Sequence, residues 1–371
     1  MADHITIVGS YYEVGTKLGK KTESSVKKIL NDFKSSELFK KIDEYTNTPE
    51  GAQVLKLFKE TVLTYCRDYL EELKGVANGA GVDYNDLFLL NCECEFAAIF
   101  GDIPDGSHGV QYASFYDGCT NISITTDENK VYLAHTEDIV PIAKDLGIML
   151  TVEIKGENGS ILENWTDYYI PGVISGGKFH FNRYGVMVGA NNIYQKGLNK
   201  NGIPRRFMCR SLMDIQDPSQ AVQILQRKPG ISTAYCFHYV QQTGNDVVNT
   251  VIEVAGTSNG TMVAVYKPPE YYHHCNMFQH LKLECHPEES SIHRAAIISQ
   301  YVNRGQTRSK RDLLDAVSNR QDKKFPVYRN GKHPDYLATG ATGIFDVSAK
   351  TMEVYTNFSE KSQPKHLFNV P

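Results

Sequence analysis

The stretch Phe115-Tyr116-Asp117-Gly118-Cys119-Thr120-Asn121-Ile122-Ser123 sets a thiol directly after an Asp-Gly turn pair and directly before an alternating polar and apolar run. A cysteine at such a junction is either a small buried hydrophobe or a nucleophile. Titratable side chains that could serve a nucleophile follow at His135, Glu137 and Asp138, and again at His273, His274 and Cys275, beside Asn276. The remaining cysteines, Cys66, Cys92, Cys94, Cys209, Cys236 and Cys285, show no paired spacing. The opening ten residues lack the basic and long apolar regions of a signal peptide, so the thiols read as reduced and the protein as cytoplasmic. Cys92-x-Cys94 and His273-His274-Cys275 fit no standard structural zinc spacing, and neither a metal nor a cofactor is expected. Phosphate-binding loops of the G-x-G-x-x-G and G-x-x-x-x-G-K-[ST] types are missing from the sequence.

The elements that must position these groups change in texture along the chain. From Ser24 to about Phe100 the pattern is helical: Val26, Ile29, Leu30 and Phe33 recur at helix spacing. Thr48-Pro49-Glu50-Gly51 reads as a capped start for a long amphipathic run to Leu73. Gly79-Ala80-Gly81 breaks the pattern, and a further helix spans Leu87 to about Phe100. Beyond residue 112 short apolar runs dominate, among them Ile122–Ile124, Val131–Ala134, Ile148–Ile154, Ala234–Val240, Val248–Val254 and Gly343–Val347. Helices interrupt them at about Ser219–Gln226 and Ser309–Val317. A helical lead followed by many strands argues for an α+β fold of layered antiparallel sheets. With 41% hydrophobic and 22% charged residues and a net charge of −4, composition points to a soluble globular chain without nucleic-acid or membrane partners. No run approaches the roughly 18 apolar residues of a membrane span.

A collinear set of short motifs goes further. It comprises Gly9–Gly19, Leu73–Gly81, Asp117-Gly118-Cys119-Thr120, His135-Thr136-Glu137-Asp138, Phe181-Asn182 with Gly185-Val186 and Asn192, Gly202–Phe207 with Arg210, and His274-Cys275-Asn276. The series resembles the acyl-coenzyme A:6-aminopenicillanic acid acyltransferase family, a branch of the self-processing N-terminal-nucleophile hydrolases, from about residue 5 to 358. Thr48–Gly51, the His135–Asp138 run, Pro204–Phe207 and Gly343–Thr351 resemble in particular an insect branch that hydrolyses β-alanyl conjugates of biogenic amines.

The resemblance implies an αββα sandwich of two antiparallel sheets with flanking helices, forming one structural domain. It implies self-cleavage between Gly118 and Cys119, leaving a helical α chain of residues 1–118 and a β chain of residues 119–371, held as a heterodimer. A thiol can attack the preceding carbonyl, and Gly118 leaves that approach open and tolerates a strained turn. The freed α-amino group, with an ordinary pKa near 8, then serves the thiol as base. By the same resemblance Asp138 orients the amino terminus and Asn276 donates to the oxyanion, with His273 taking that place if the alignment shifts by one residue. Glu137, His135, His274, Asn192 and Arg210 are secondary candidates for contacts with a small N-acyl amine substrate. Transfer of the acyl group to an amine instead of water, and a non-catalytic relative that kept only the fold, are the competing readings.

Overall fold

The protein is described here from a computed structural model covering residues 3–101, 118–286, 288–302, 309–332, 335–358 and 362–371. Seven helices fill the lead segment: α1 (Tyr11–Lys21), α2 (Glu23–Ser35), α3 (Glu37–Thr46), α4 (Pro49–Tyr65), α5 (Arg67–Ala80), α6 (Tyr84–Asn91) and α7 (Glu93–Phe100). They are preceded by a strand, β1 (His4–Gly9). Caps set several of the boundaries. The Ser10 and Glu13 side chains close a capping box at the start of α1, and Thr48 accepts from the Gly51 N–H ahead of Pro49 in α4. Patterns that read as single long helices break at Ser36, Cys66 and Cys92.

The strands that follow are β2 (Gly118–Thr125), β3 (Val131–Ile139), β4 (Ile148–Lys155), β5 (Ile161–Tyr169), β6 (Phe179–Asn182) and β7 (Met187–Ile193). After helices α8 (Arg205–Arg210) and α9 (Pro218–Leu225) come β8 (Ala234–Thr243), β9 (Asp246–Thr257), β10 (Gly260–Tyr266) and β11 (Tyr271–His274). Helices α10 (Glu289–Val302) and α11 (Lys310–Val317) precede β12 (Ala338–Asp346), β13 (Thr351–Tyr355) and β14 (His366–Asn369). The two sequence-expected helices in this half correspond to α9 and α11; α8, α10 and the strands β1, β5, β6, β11 and β14 were not anticipated.

Two sheets result, one ordered β1-β4-β5-β6-β7-β8-β9-β10 and the other β11-β2-β3-β12-β13-β14. Every pairing is antiparallel except β1 with β4, which corrects the expectation of two purely antiparallel sheets. The exception follows from connectivity: the lead helices separate these strands, giving the chain the length a parallel return requires. Alternation along β2 and β3 defines the layers. Ile122, Ile124, Tyr132 and Ala134 join Ile298, Leu313 and Ala316 of α10 and α11 in one apolar cluster. Asn121 points the other way and donates to Gly189 O of β7 at 2.9 Å, so the second face of β2 meets the large sheet. Strands β2 and β3 are thus covered on both faces, which is why Val131–Ala134 reads as a continuous apolar run. The order is helices, large sheet, small sheet, helices: an αββα sandwich.

Helices α1 and α5 cross at very short range. A Cβ on Gly15 or Gly19 would strike the carbonyls of Glu72 or Val76, and one on Gly75 or Gly79 those of Tyr12 or Thr16. Glycine pairs four residues apart on both helices let the backbones touch, which explains a spacing that the sequence displays without revealing its purpose.

Candidate functional site

Cys119 is the second residue of β2, fully buried, with its side chain between the sheets. Its Sγ lies 3.5 Å from Glu137 Oε2, and the two residues are register partners across β2 and β3. Glu137 also receives the Lys178 ammonium at 2.9 Å on Oε1 and faces His135 Nε2 at 3.0 Å on Oε2. His135 Nδ1 in turn meets Asn121 Oδ1 at 2.8 Å. Alternate residues of a strand share a face, so His135 and Glu137 arrive together, as do Cys119 and Asn121.

The backbone of Cys119 is gripped separately. Its N–H donates to Asn276 Oδ1 at 3.1 Å, and its carbonyl accepts from Arg294 Nη1 at 2.7 Å. Arg294 on α10 also reaches Asn276 Oδ1 and Thr120 Oγ1, both at 2.8 Å, and Glu288 Oε2 at 3.1 Å. The Asn276 Nδ2 group donates to Asn192 O at 2.9 Å. Asn276 therefore presents its carbonyl oxygen to the Cys119 nitrogen, and its donor group is engaged by β7.

Asp138 stands on the other face of β3, in register with Gly118. Oδ1 accepts from Thr339 Oγ1 at 2.6 Å, whereas Oδ2 has no hydrogen-bond partner and lies 3.9 Å from Arg329 Nη1. Burial pushes the Asp138 carboxyl up to about 7, against the pull of Arg329 and Arg294. The Arg329 guanidinium, itself held by Asp335 through Nε at 2.9 Å, sits where a Cβ of Gly118 would be. Gly118 is needed here for that close approach. The expected turn through Asp117 lies outside the described residues.

His274 is buried with Nε2 3.1 Å from Glu253 Oε1. Burial works to raise the Glu253 carboxyl, but the His274 ring and the N–H groups of Leu281 and Gln279 outweigh it and hold it at about 2. His274 thus braces the loop after β11, and its carbonyl accepts from Asn191 Nδ2 at 3.3 Å. Burial lowers the neighbouring His273 to about 4. Asn192 lends its carbonyl to Asn276, while its side chain accepts from Arg205 and lines a small pocket with Ala97, Ile193, Thr233 and His286. Its Nδ2 is buried without a partner.

Arg210 belongs to a different cluster. It binds Glu72 Oε2 at 3.0 Å and Glu163 Oε2 at 2.7 Å, and stacks on Trp165 with 4.0 Å from guanidinium carbon to ring centre. Arg206 pairs with Glu93, and the Arg205 N–H donates to Glu95 at 2.8 Å. Helix α8 thus takes three carboxylates from the lead helices, and the structure places Arg210 in that clamp instead of beside Cys119. Residues that sequence reasoning missed are Lys178, Arg294, Arg329 and Thr339. Only Asn121, inside the alternating run after Cys119, carried a local signal.

Cys119, His135 and Glu137 bring one donor atom each within 4.8 Å of one another, a spacing a soft divalent ion could bridge. The Lys178 ammonium already supplies positive charge to the same carboxylate. Burial pushes the thiols of Cys66, Cys94 and Cys209 up to about 12, as expected of structural cysteines.

The chain resembles a beta-alanyl-dopamine/carcinine hydrolase from Drosophila melanogaster, 24% identical over 96% of this chain and 93% of that protein. The acyl-coenzyme A:6-aminopenicillanic-acid-acyltransferase 40 kDa form of Emericella nidulans is 26% identical over 62% of this chain and 58% of its own length. A crystal structure of a mutant conjugated bile acid hydrolase from Clostridium perfringens covers 64% of this chain and 89% of its own at 10% identity, with a TM-score of 0.38. The family profile for acyl-coenzyme A:6-aminopenicillanic acid acyl-transferase matches residues 125–360, which takes in Asp138 and Asn276 and begins just after Cys119. With well over half its length inside that match, the chain belongs to the acyl-coenzyme A:6-aminopenicillanic acid acyl-transferase family.

Proposed function

We propose that the protein is a self-processing amidohydrolase whose nucleophile is Cys119 and whose substrates are small N-acyl amines, specifically N-β-alanyl conjugates of biogenic amines. The observation that carries this reading is the treatment of Cys119: its N–H, carbonyl and thiol each meet a different buried partner, Asn276, Arg294 and Glu137. Any buried residue needs partners for its backbone N–H and carbonyl, but a structural cysteine needs no carboxylate at its thiol. The substrate class rests on the likeness to the Drosophila hydrolase along nearly the whole chain.

In the proposed maturation the thiolate attacks the Gly118 carbonyl, the peptide C–N bond breaks, and water hydrolyses the resulting thioester. The new α-amine appears beside Asp138, in register with Gly118, where an ammonium would partner the orphaned Oδ2. In turnover the amine takes the thiol proton, the thiolate attacks the substrate amide, the product amine departs, and water releases the acid. The Asn276 Nδ2 group spends one N–H on Asn192 O and has a second to donate to the oxyanion, a contribution of about two to three orders of magnitude in rate. Asn192 Nδ2, buried without a hydrogen-bond partner on the wall of a small pocket, is a candidate donor to the substrate.

Intact mass spectrometry of the wild type beside Cys119→Ala tests the first part. The wild type is expected as residues 1–118 (with or without Met1) and 119–371, the variant as one chain; two intact chains would refute self-processing. Free β-alanine released from β-alanyl-dopamine or carcinine without an added acceptor supports hydrolysis. Acyl transfer, favoured by the family's description, would need an acceptor amine.

A further inference from the structure

We propose that His135, acting through Glu137, is the base that takes the Cys119 thiol proton before the chain is cut. The inference rests on the self-processing reading above and fills a gap in it. In the uncut chain the Cys119 nitrogen is an amide bound to Asn276, so the α-amine that serves turnover does not yet exist.

The argument turns on which nitrogen of His135 carries its proton. A run of side-chain amides settles that. Asn191 donates through Nδ2 to His274 O at 3.3 Å, so its Oδ1 is the acceptor turned toward Asn121. Asn121 Nδ2 donates to Asn191 Oδ1 and to Gly189 O, the latter at 2.9 Å. Asn121 Oδ1 therefore faces His135, and Nδ1 must donate to it across 2.8 Å. In the neutral ring Nε2 is left with a lone pair, yet it faces Glu137 Oε2 at 3.0 Å. Two lone pairs opposed in a site with no exposure to water are unfavourable, and a proton between them relieves the clash.

The Cys119 thiol, 3.5 Å from the same Oε2, supplies that proton. Transfer from Sγ through Oε2 to Nε2 leaves thiolate, imidazolium, carboxylate and the Lys178 ammonium, a cluster of zero net charge. The thiolate then attacks the Gly118 carbonyl carbon: the S–C bond forms, the C–N bond breaks, and the proton passes from His135 Nε2 back through Glu137 to the departing Cys119 nitrogen. Water hydrolyses the thioester, so no further reagent is required. The charged and titratable groups packed around His135 are Cys119 from β2, Glu137 from β3, Lys178 and His180 from the β6 segment, and Tyr168 of β5, which faces Glu137. Burial, with Arg210 and His135 adding to it, lowers His180 to about 3 and keeps it neutral, and burial keeps Tyr168 protonated.

The test is the rate of chain cleavage between pH 6 and 9, followed by intact mass, for the wild type, His135→Gln and the charge-balanced double variant Glu137→Gln/Lys178→Gln. Glutamine retains hydrogen bonding at 135 but cannot hold the proton. Wild-type cleavage is expected to be nearly flat above pH 6. His135→Gln should cleave at least about 100-fold more slowly at pH 7 and accelerate about tenfold per pH unit as hydroxide takes over. The double variant should lose neutral-pH cleavage too, and it decides the matter if His135→Gln does not fold. Wild-type rates in either folded variant, or a slowing of His135→Gln that is equal at every pH, would overturn the inference while self-processing stands. An uncut wild type would remove both.

Discussion

Asp138 is a carboxyl buried beside two arginines that it only half engages, and its protonation is readable in the uncut chain. Its folded pKa, raised by burial to about 7, lies above the ordinary value near 4. The native state therefore binds a proton that the unfolded chain has released. Stability from this group is full below about pH 4 and is lost as the pH rises through about 7, at up to about 1.4 kcal/mol per unit inside that window. In the uncleaved Cys119→Ala background, denaturant midpoints should fall between pH 4 and 7, and adding Asp138→Asn should flatten that fall; an unchanged slope would mean that Arg329 keeps Asp138 ionised. Cys119, Asp138 and Asn276 were legible at this scale because each sits in a short motif. Their partners were not. Arg294 reaches Cys119 O from 175 residues away and Thr339 reaches Asp138 from 201, and no local pattern encodes such distances.

Among the elements, α1 and α5 carry the clearest spacing with the least obvious meaning. Alanine normally improves a helix over glycine by about 1 kcal/mol. At Gly75 a Cβ would meet the Tyr12 carbonyl, so Gly75→Ala should instead destabilise, by about 1–3 kcal/mol, as a lowered denaturant midpoint. A neutral or stabilising result would show that the crossing relaxes freely. Helix α10 escaped the sequence reading for a related reason. The groups it buries toward β2 include Ser290, Ser291 and Arg294, whose guanidinium is held by both serines and the Cys119 carbonyl, so hydrophobic periodicity had little to report. Strand β5 likewise buries Thr166 and Asp167 and breaks the alternation that identifies strands.

For the molecule as a whole, the lead segment is built into the fold and is not an appendage. Strand β1 pairs with β4, the apolar core runs from the lead helices through the large sheet to the inner face of the small one, and α8 accepts Glu72, Glu93 and Glu95. Cleaved protein should therefore elute as one species in size-exclusion chromatography at high salt, and its fragments should separate only in the denaturant range where the fold melts. Early release of residues 1–118 would refute that integration. Among the described residues no helix is long and apolar enough to cross a membrane.

What local order alone could establish was the succession of helices and strands, the αββα resemblance and the thiol at a loop-to-strand junction, because periodicity, turn residues and collinear motifs are properties of neighbours along the chain. The parallel β1–β4 pair, the clamp that claims Arg210, the buried arginines around Cys119 and Asp138, and the amide run that sets the His135 proton come from sheet register and layer packing. Those bring together groups with no proximity in sequence, and only the folded chain decides which of them meet.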